Sequence, residues 1–296
     1  MNKNEFLENL NEHNCNLLND ALFKFIFGKE EHKQITIDFL NAVLASSLEH
    51  TIQDLQFVNS ELSRRHDDNK SNLLDVMCLL DSGEKVDIEV QISDRKNIDH
   101  RTLFYWAHMY LETLPAGGTY KSLKPCITIN ILNFEFITQQ QKLHSIYELY
   151  DKETGHRLTK DLAIHFLEIP KFKHKKEMPI RKMSKMERWL AFLANKLDEK
   201  EKEELYMKEK EIQNAMDAAK TFLSNKEERE LYFRRELERM DRESIYEDGA
   251  LDGALSESAR NIKNLMNTQN IPLETAFAWL NIPENKQRLI KKELKE

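Results

Sequence analysis

Residues 85–92 alternate strictly: Val86, Ile88, Val90 and Ile92 interleave with Asp87, Glu89 and Gln91. In a strand the two sets leave on opposite faces. The aliphatic face belongs in a core, which leaves two carboxylates and an amide on the other, groups that are costly to bury without partners. The same reading predicts a short helix over NDALFKFIFG (19–28), capped by Asn19 or Asp20 and ended at Gly28, then a helix over 31–44. Further strands are expected at 52–58, 73–80, 126–132 and 161–169, the run CITINIL at 126 suiting a central strand. Residues 98–114 have helical periodicity, with Leu103, Trp106, Ala107, Tyr110 and Leu114 expected inward. The elements amount to a mixed α/β core.

Pattern and composition change after Pro170. Residues 184–247 are highly charged and read as amphipathic helices, DGALDG at 248–253 as a hinge, and the tail as short helices with turns at Asn270–Pro272 and Asn281–Pro283. The expected organisation is a core over 1–170, a basic linker with charged helices over 171–247, and a small helical tail over 248–296. The tail's helix-turn-helix-like pattern fits packing or dimerisation as well as DNA reading. Trp189, Phe192, Leu193, Leu231 and Leu237 need a covering surface, either the core of the same chain or a second copy in a homodimer.

The loop between strands 73–80 and 85–92 sets the hairpin register. Asp81-Ser82-Gly83 suits a three-residue turn whose last residue is left-handed, the place for glycine. Leu80 then pairs with Glu84, and Asp75 falls opposite Glu89. A two-residue loop would send Asp75 to the apolar side. Two opposed carboxylates repel unless one is protonated or a cation lies between them. A hard divalent ion with oxygen ligands, Mg²⁺ or Mn²⁺, satisfies the cluster, and a solvated strand face is the alternative. Asp87, on the same face, reads more simply as solvent-facing.

The net charge of −7 argues against a nucleic-acid partner only on average, because residues 170–188 hold eight Lys or Arg against two Glu. Lys171, Lys173, Lys175, Lys176, Arg181 and Lys182 are the candidate DNA-backbone contacts there, against the alternative of a solvated loop. Arg101 at the start of a helix, and Tyr120, Lys121 and Lys124 after the Gly117-Gly118 turn, are further candidates. Cys15, Cys78 and Cys126 match no disulfide or zinc spacing and fit a reducing cytoplasm. No apolar run approaches a membrane span and no signal-peptide core is present, so a cytoplasmic location is expected.

Asp75, thirteen intervening residues and then Glu89-Val90-Gln91 resemble the PD-(D/E)xK nuclease signature, in the E-x-Q variant of the recombination-promoting nuclease or transposase group. NDALFKFIFG, HRTLFYWAHMY at 100–110 and TYKSLKPCITINILNF at 119–134 are similar to further stretches of that group, in the same order. The resemblance implies a restriction-endonuclease-like mixed sheet flanked by helices, followed by an all-α C-terminal region. It also implies Mg²⁺-dependent DNA endonuclease activity connected with recombination or mobile elements, without strong sequence specificity. By it, Asp75 and Glu89 are metal ligands, the Val90 carbonyl is a third, and Asp20 reaches the metal directly or through water. Gln91 takes the place of the superfamily's lysine, which puts activity in question, because a neutral amide orients water but carries no charge. A non-catalytic DNA- or protein-binding module and an RNA-cleaving nuclease are the alternatives.

Overall fold

The computed structural model describes residues 3–58, 76–93, 97–172 and 178–294. Strands β1 (Leu55–Phe57), β2 (Val76–Leu80), β3 (Lys85–Gln91), β4 (Cys126–Leu132), β5 (His144–Tyr147) and β6 (Leu162–Glu168) form a sheet in the order β1-β2-β3-β4-β6-β5. The pairs β1–β2, β2–β3 and β5–β6 are antiparallel, whereas β3–β4 and β4–β6 are parallel. This is the mixed sheet the sequence implies. The short edge strand β5 was not anticipated.

The β2–β3 register follows the turn argument. Val76 pairs with Ile88, Met77 with Asp87 and Cys78 with Val86. Gly83 has φ +101°, and Leu80 N–H donates to the Glu84 carbonyl at 2.9 Å. Val76 and Cys78 share one core with Val86 and Ile88. Asp75, the next residue of the chain, lies outside the described residues.

Helices α1 (Lys3–Asn9), α2 (Asp20–Phe27) and α3 (Lys33–Val43) precede the sheet, and α4 (Ile98–Glu112) links β3 to β4. After β6 come α5 (Lys185–Ala194), α6 (Glu199–Lys208), α7 (Lys210–Ser224), α8 (Lys226–Gln269), α9 (Leu273–Trp279) and α10 (Glu284–Glu293). The Asn19 side chain caps α2 by accepting from the backbone of Ala21 and Leu22. Capping boxes start α5 at Ser184/Glu187 and α6 at Asp198/Glu201. Apolar residues of α2, α3, α5 and α7 share the core of Val86, Ile88, Ile127, Ile129 and Ile131 on one face of the sheet.

Trp189 shows how the charged helices join this core. Its ring is buried against Phe27, Phe39 and Phe192, and its Nε1 donates to Asp38 of α3 at 3.0 Å. Phe192 and Leu193 are buried in the same cluster and Leu231 packs against it, so these positions are covered within their own chain, whereas Leu237 is 42% exposed. A homodimer built on the covered positions is not supported.

The chain divides into two compact units, Met1–Arg235 and Glu236–Glu296. The first therefore includes helices that the sequence reading assigned to a separate region. In the second, Ala259, Ile262, Ala276, Phe277 and Ile290 form a small core, with left-handed Asn270 and Asn281 at the two expected turns. The expected hinge at 248–253 is instead helical, inside α8. Two helical glycines cost about 1 kcal/mol each, and the surrounding run of Ala, Leu, Glu and Arg has the propensity to offset them.

Helix α4 covers the other face with a side that matches the expected one only in part: Trp106 packs against the apolar cluster there, but Leu103 does not turn inward. Ile98, Thr102, Tyr105 and Met109 are buried, whereas Leu103, Phe104 and Leu111 are exposed. Beneath it lie polar strand positions, so inward residues that can hydrogen-bond are favoured over leucine: Thr102 Oγ1 donates to Asn130 Oδ1 at 2.5 Å. Farther along this face, Phe134, Phe136 and Ile137 pack with Leu132, Leu162, Ile164 and Phe166.

A buried ion pair ties down the segment after β4. Glu168 and Lys171 side chains are both 0% exposed and meet at 2.7 Å. Lys171 Nζ also donates to the carbonyls of Ile137 (2.5 Å) and Gln140 (2.9 Å). Glu168 Oε1 accepts from the backbone of Phe136 (2.6 Å) and Ile137 (3.0 Å). Breaking such a pair from one side strands a charge in the core. Lys171→Met should lower unfolding free energy by about 3–5 kcal/mol in urea titration, and Glu168→Leu added to it should recover much of the loss. A double variant no better than the single one would contradict this.

On the other side of the sheet, His165 Nδ1 and His144 Nε2 are 2.9 Å apart, and His165 Nε2 is 3.2 Å from Ser47 Oγ. Burial lowers the imidazole pKa values to about 4 for His144 and about 3 for His165. In the unfolded chain both titrate at about 6.5. The unfolded state thus takes up protons first, so stability should fall as pH drops below about 6.5, by roughly 1 kcal/mol per histidine at about pH 5.5. Thermal unfolding between pH 7 and 5 should show the decline, and His165→Gln should flatten it. Equal slopes in both proteins would exclude this source.

Candidate active site

Strand β3 is buried on both faces, which answers the question its alternation raises. Val86 and Ile88 enter the aliphatic core, while Asp87, Glu89 and Gln91 lie under α4 at only 1%, 3% and 8% exposure. Asp87 is therefore an interior residue, contrary to the solvent-facing expectation. Across the parallel ladder, Asp87 is opposite Thr128 and Glu89 opposite Asn130. Thr128 and Asn130 extend the polar bed. They were missed because CITINIL reads as an apolar run, although its two polar residues stand two apart and share a face.

Arg101 of α4 organises the carboxylate end of this bed. Its Nη2 donates to Glu89 Oε2 at 3.1 Å, its Nη1 to Gln91 Oε1 at 3.0 Å and its Nε to the Tyr105 hydroxyl at 3.1 Å. Gln91 Nε2 donates to the same Glu89 oxygen at 3.0 Å. The guanidinium also lies 5.2 Å from the Tyr105 ring centroid. Burial raises the Tyr105 pKa, so the phenol stays neutral beside the guanidinium. Helix α4 is fixed to β4 by the Thr102–Asn130 bond and by Trp106 Nε1 donating to the Cys126 carbonyl at 3.0 Å. Glu89 is thus held by a strand neighbour and by a helix anchored one strand away.

The remaining candidates are distributed differently. Asp20 starts α2, on the Val86 side of the sheet, and its carboxylate meets Lys24 Nζ at 2.7 Å and Arg235 Nε at 3.3 Å. A direct metal bond there would have to compete with these cations. Tyr120, Lys121 and Lys124 are exposed on the approach to Cys126, opposite Lys85. Glu89 lies four residues beyond Lys85 along the strand, about 13 Å away. Lys171 is not a surface phosphate contact, because its ammonium is enclosed by Glu168 and two carbonyls. Arg181 and Lys182 are exposed on a turn anchored by buried Ile180 and Met183. Lys173, Lys175 and Lys176 lie outside the described residues, as does Asp75.

Among the described residues, no group of three or more His, Cys, Asp and Glu is placed to hold a metal ion, and no helix is long and apolar enough to cross a membrane. Glu89 and the Val90 carbonyl offer oxygen donors, the kind a hard divalent cation takes. They fit such an ion provided that Asp75 supplies the second carboxylate.

No curated protein and no solved structure matches the chain. A family model described as PD-(D/E)XK nuclease family transposase matches residues 17–249, from the turn before α2 into α8. With that match over most of its length, and with its mixed sheet and flanking helices, the chain belongs to the PD-(D/E)XK nuclease transposase family.

Proposed function

We propose that the protein is a divalent-metal-dependent DNA endonuclease that hydrolyses phosphodiester bonds in recombination or mobile-element processes. The observation that carries the reading is the buried Glu89 carboxylate, fixed by Gln91 and Arg101 on a strand whose E-x-Q resembles the PD-(D/E)xK signature, inside the stretch that the family model matches. A carboxylate at 3% exposure is costly to keep unless its charge is used or balanced.

Glu89, the Val90 carbonyl and Asp75 would hold the ion, with Mg²⁺ the favoured species and Mn²⁺ the substitute. Bound there, a divalent ion supplies Lewis acidity and lowers the pKa of a coordinated water. Gln91 orients: its amide donates to Glu89 and carries no charge of its own. Arg181 and Lys182, with Lys173, Lys175 and Lys176, are the proposed contacts to the DNA backbone. Tyr120, Lys121 and Lys124 would touch DNA only where it runs past the site toward the start of β4. One observation favours a second reading, a non-catalytic DNA-binding module: the Arg101 guanidinium already balances Glu89 without a metal.

Plasmid nicking with Mg²⁺, Mn²⁺, Ca²⁺ or EDTA separates the two. Cleavage should require Mg²⁺ or Mn²⁺ and vanish in Asp75→Ala and Glu89→Ala, with circular dichroism showing both variants folded. Gln91→Ala should lose less, about 10–100-fold. Binding without nicking under every metal would favour the non-catalytic module, and cleavage of RNA alone would redirect the substrate. Replacing Lys173, Lys175, Lys176, Arg181 and Lys182 with Gln should flatten log K against log salt by about 0.9 for each phosphate no longer neutralised. An unchanged slope would place the DNA path elsewhere.

A further inference from the structure

Gln91 leaves the strand without a charge at that position, and Arg101 brings a guanidinium to the same place from the helix. Three of its nitrogens donate to fixed acceptors: Gln91 Oε1, Glu89 Oε2 and the Tyr105 hydroxyl. Such a planar fork is better suited than an ammonium to bridging several acceptors. The network also fixes the Gln91 amide. Since Oε1 receives an N–H from Arg101, the amide nitrogen is the end directed at Glu89.

A side chain that accepts from arginine and donates to glutamate satisfies both neighbours while remaining neutral. A lysine at position 91 would accept nothing from Arg101 and would set two like charges side by side under α4, where burial strengthens their repulsion. The glutamine is therefore matched to the arginine.

We infer that Arg101 is, among the described residues, the resident cation of the site, a positioning residue that balances and orients Glu89 through its own bond and through Gln91, the neutral spacer. The charge pairing stands on the geometry alone. Its bearing on a metal rests on the function proposed above: a divalent ion drawn to Glu89 meets a guanidinium already bound to Oε2, so Arg101 restrains metal affinity while holding the ligand in place.

The test uses the full chain, wild type and four variants: Arg101→Met, Arg101→Lys, Gln91→Lys and the exchange Gln91→Lys/Arg101→Gln. Two readouts are independent of cleavage: thermal unfolding in EDTA and calorimetric titration with Ca²⁺. Arg101→Met should unfold about 5 °C or more below wild type in EDTA, because Glu89 loses the guanidinium bound to its Oε2. It should bind Ca²⁺ about tenfold more tightly, a difference near 1.4 kcal/mol. Arg101→Lys should fall between the two. Gln91→Lys should be destabilising in the wild-type background and largely tolerated in the exchange.

Additive effects of the 91 and 101 changes would overturn the pairing. Unaltered or weaker Ca²⁺ binding by folded Arg101→Met would overturn the restraint on metal. Should Arg101→Met fail to fold, Arg101→Lys and the exchange decide. A wild type that binds no Ca²⁺ would count against the metal site of the proposed function, while the unfolding cycle in EDTA would still decide the role of Arg101.

Discussion

The arrangement around the site follows from one requirement: a carboxylate on a central strand, closed in by a helix, must have its charge balanced. Glu89 meets that requirement through Arg101, and the consequences spread outward. Helix α4 must present arginine, threonine and tyrosine to the sheet, so its leucines and Phe104 face outward. β4 must offer Asn130 to receive Thr102, although its other side lies in an aliphatic core. The two layers over the sheet thus obey different rules. On one face apolar burial decides the packing, and on the other hydrogen-bond geometry does.

That contrast explains what the sequence could reveal. The β2–β3 register was legible because turn chemistry and alternation independently demanded the same pairing, and Gly83 has the backbone that this turn needs. The turns at Asn270 and Asn281 were legible because asparagine accepts left-handed backbone. The inward side of α4 was legible only at Trp106, because hydrophobic periodicity assumes a hydrophobic neighbour, and a helix resting on Asn130, Glu89 and Gln91 breaks that assumption. The Asp87 misreading has the same origin. Alternation alone does not tell a strand face open to water from one covered by another layer of protein.

Lys171 marks a different boundary. Its neighbours in sequence are basic, and composition places it among them as a surface charge. Glu168 stands only three residues away, but the fold alone encloses that pair and brings the ammonium to the carbonyls of Ile137 and Gln140, more than thirty residues away along the chain. Long-range closure of this kind leaves no local pattern to read. Membership in the nuclease family was legible from short ordered motifs, whereas the pairing of Arg101 with Gln91 depends on a side-chain network between strand and helix.

The three-residue Asp81–Gly83 loop sets parity as well as direction. Side chains change faces at every step of a strand, so one residue added to this loop or removed from it would exchange the two faces of β3 relative to β2. Amino-acid replacement in the loop changes local energy by degrees, but a change in its length is a discrete error that mispairs every rung at once. Drift in this family should therefore show substitutions at positions 81 and 82 with the residue count held constant. A joint that transmits no register, such as the exposed turn at Gly117 and Gly118 between α4 and β4, has no such parity to keep and should tolerate added residues.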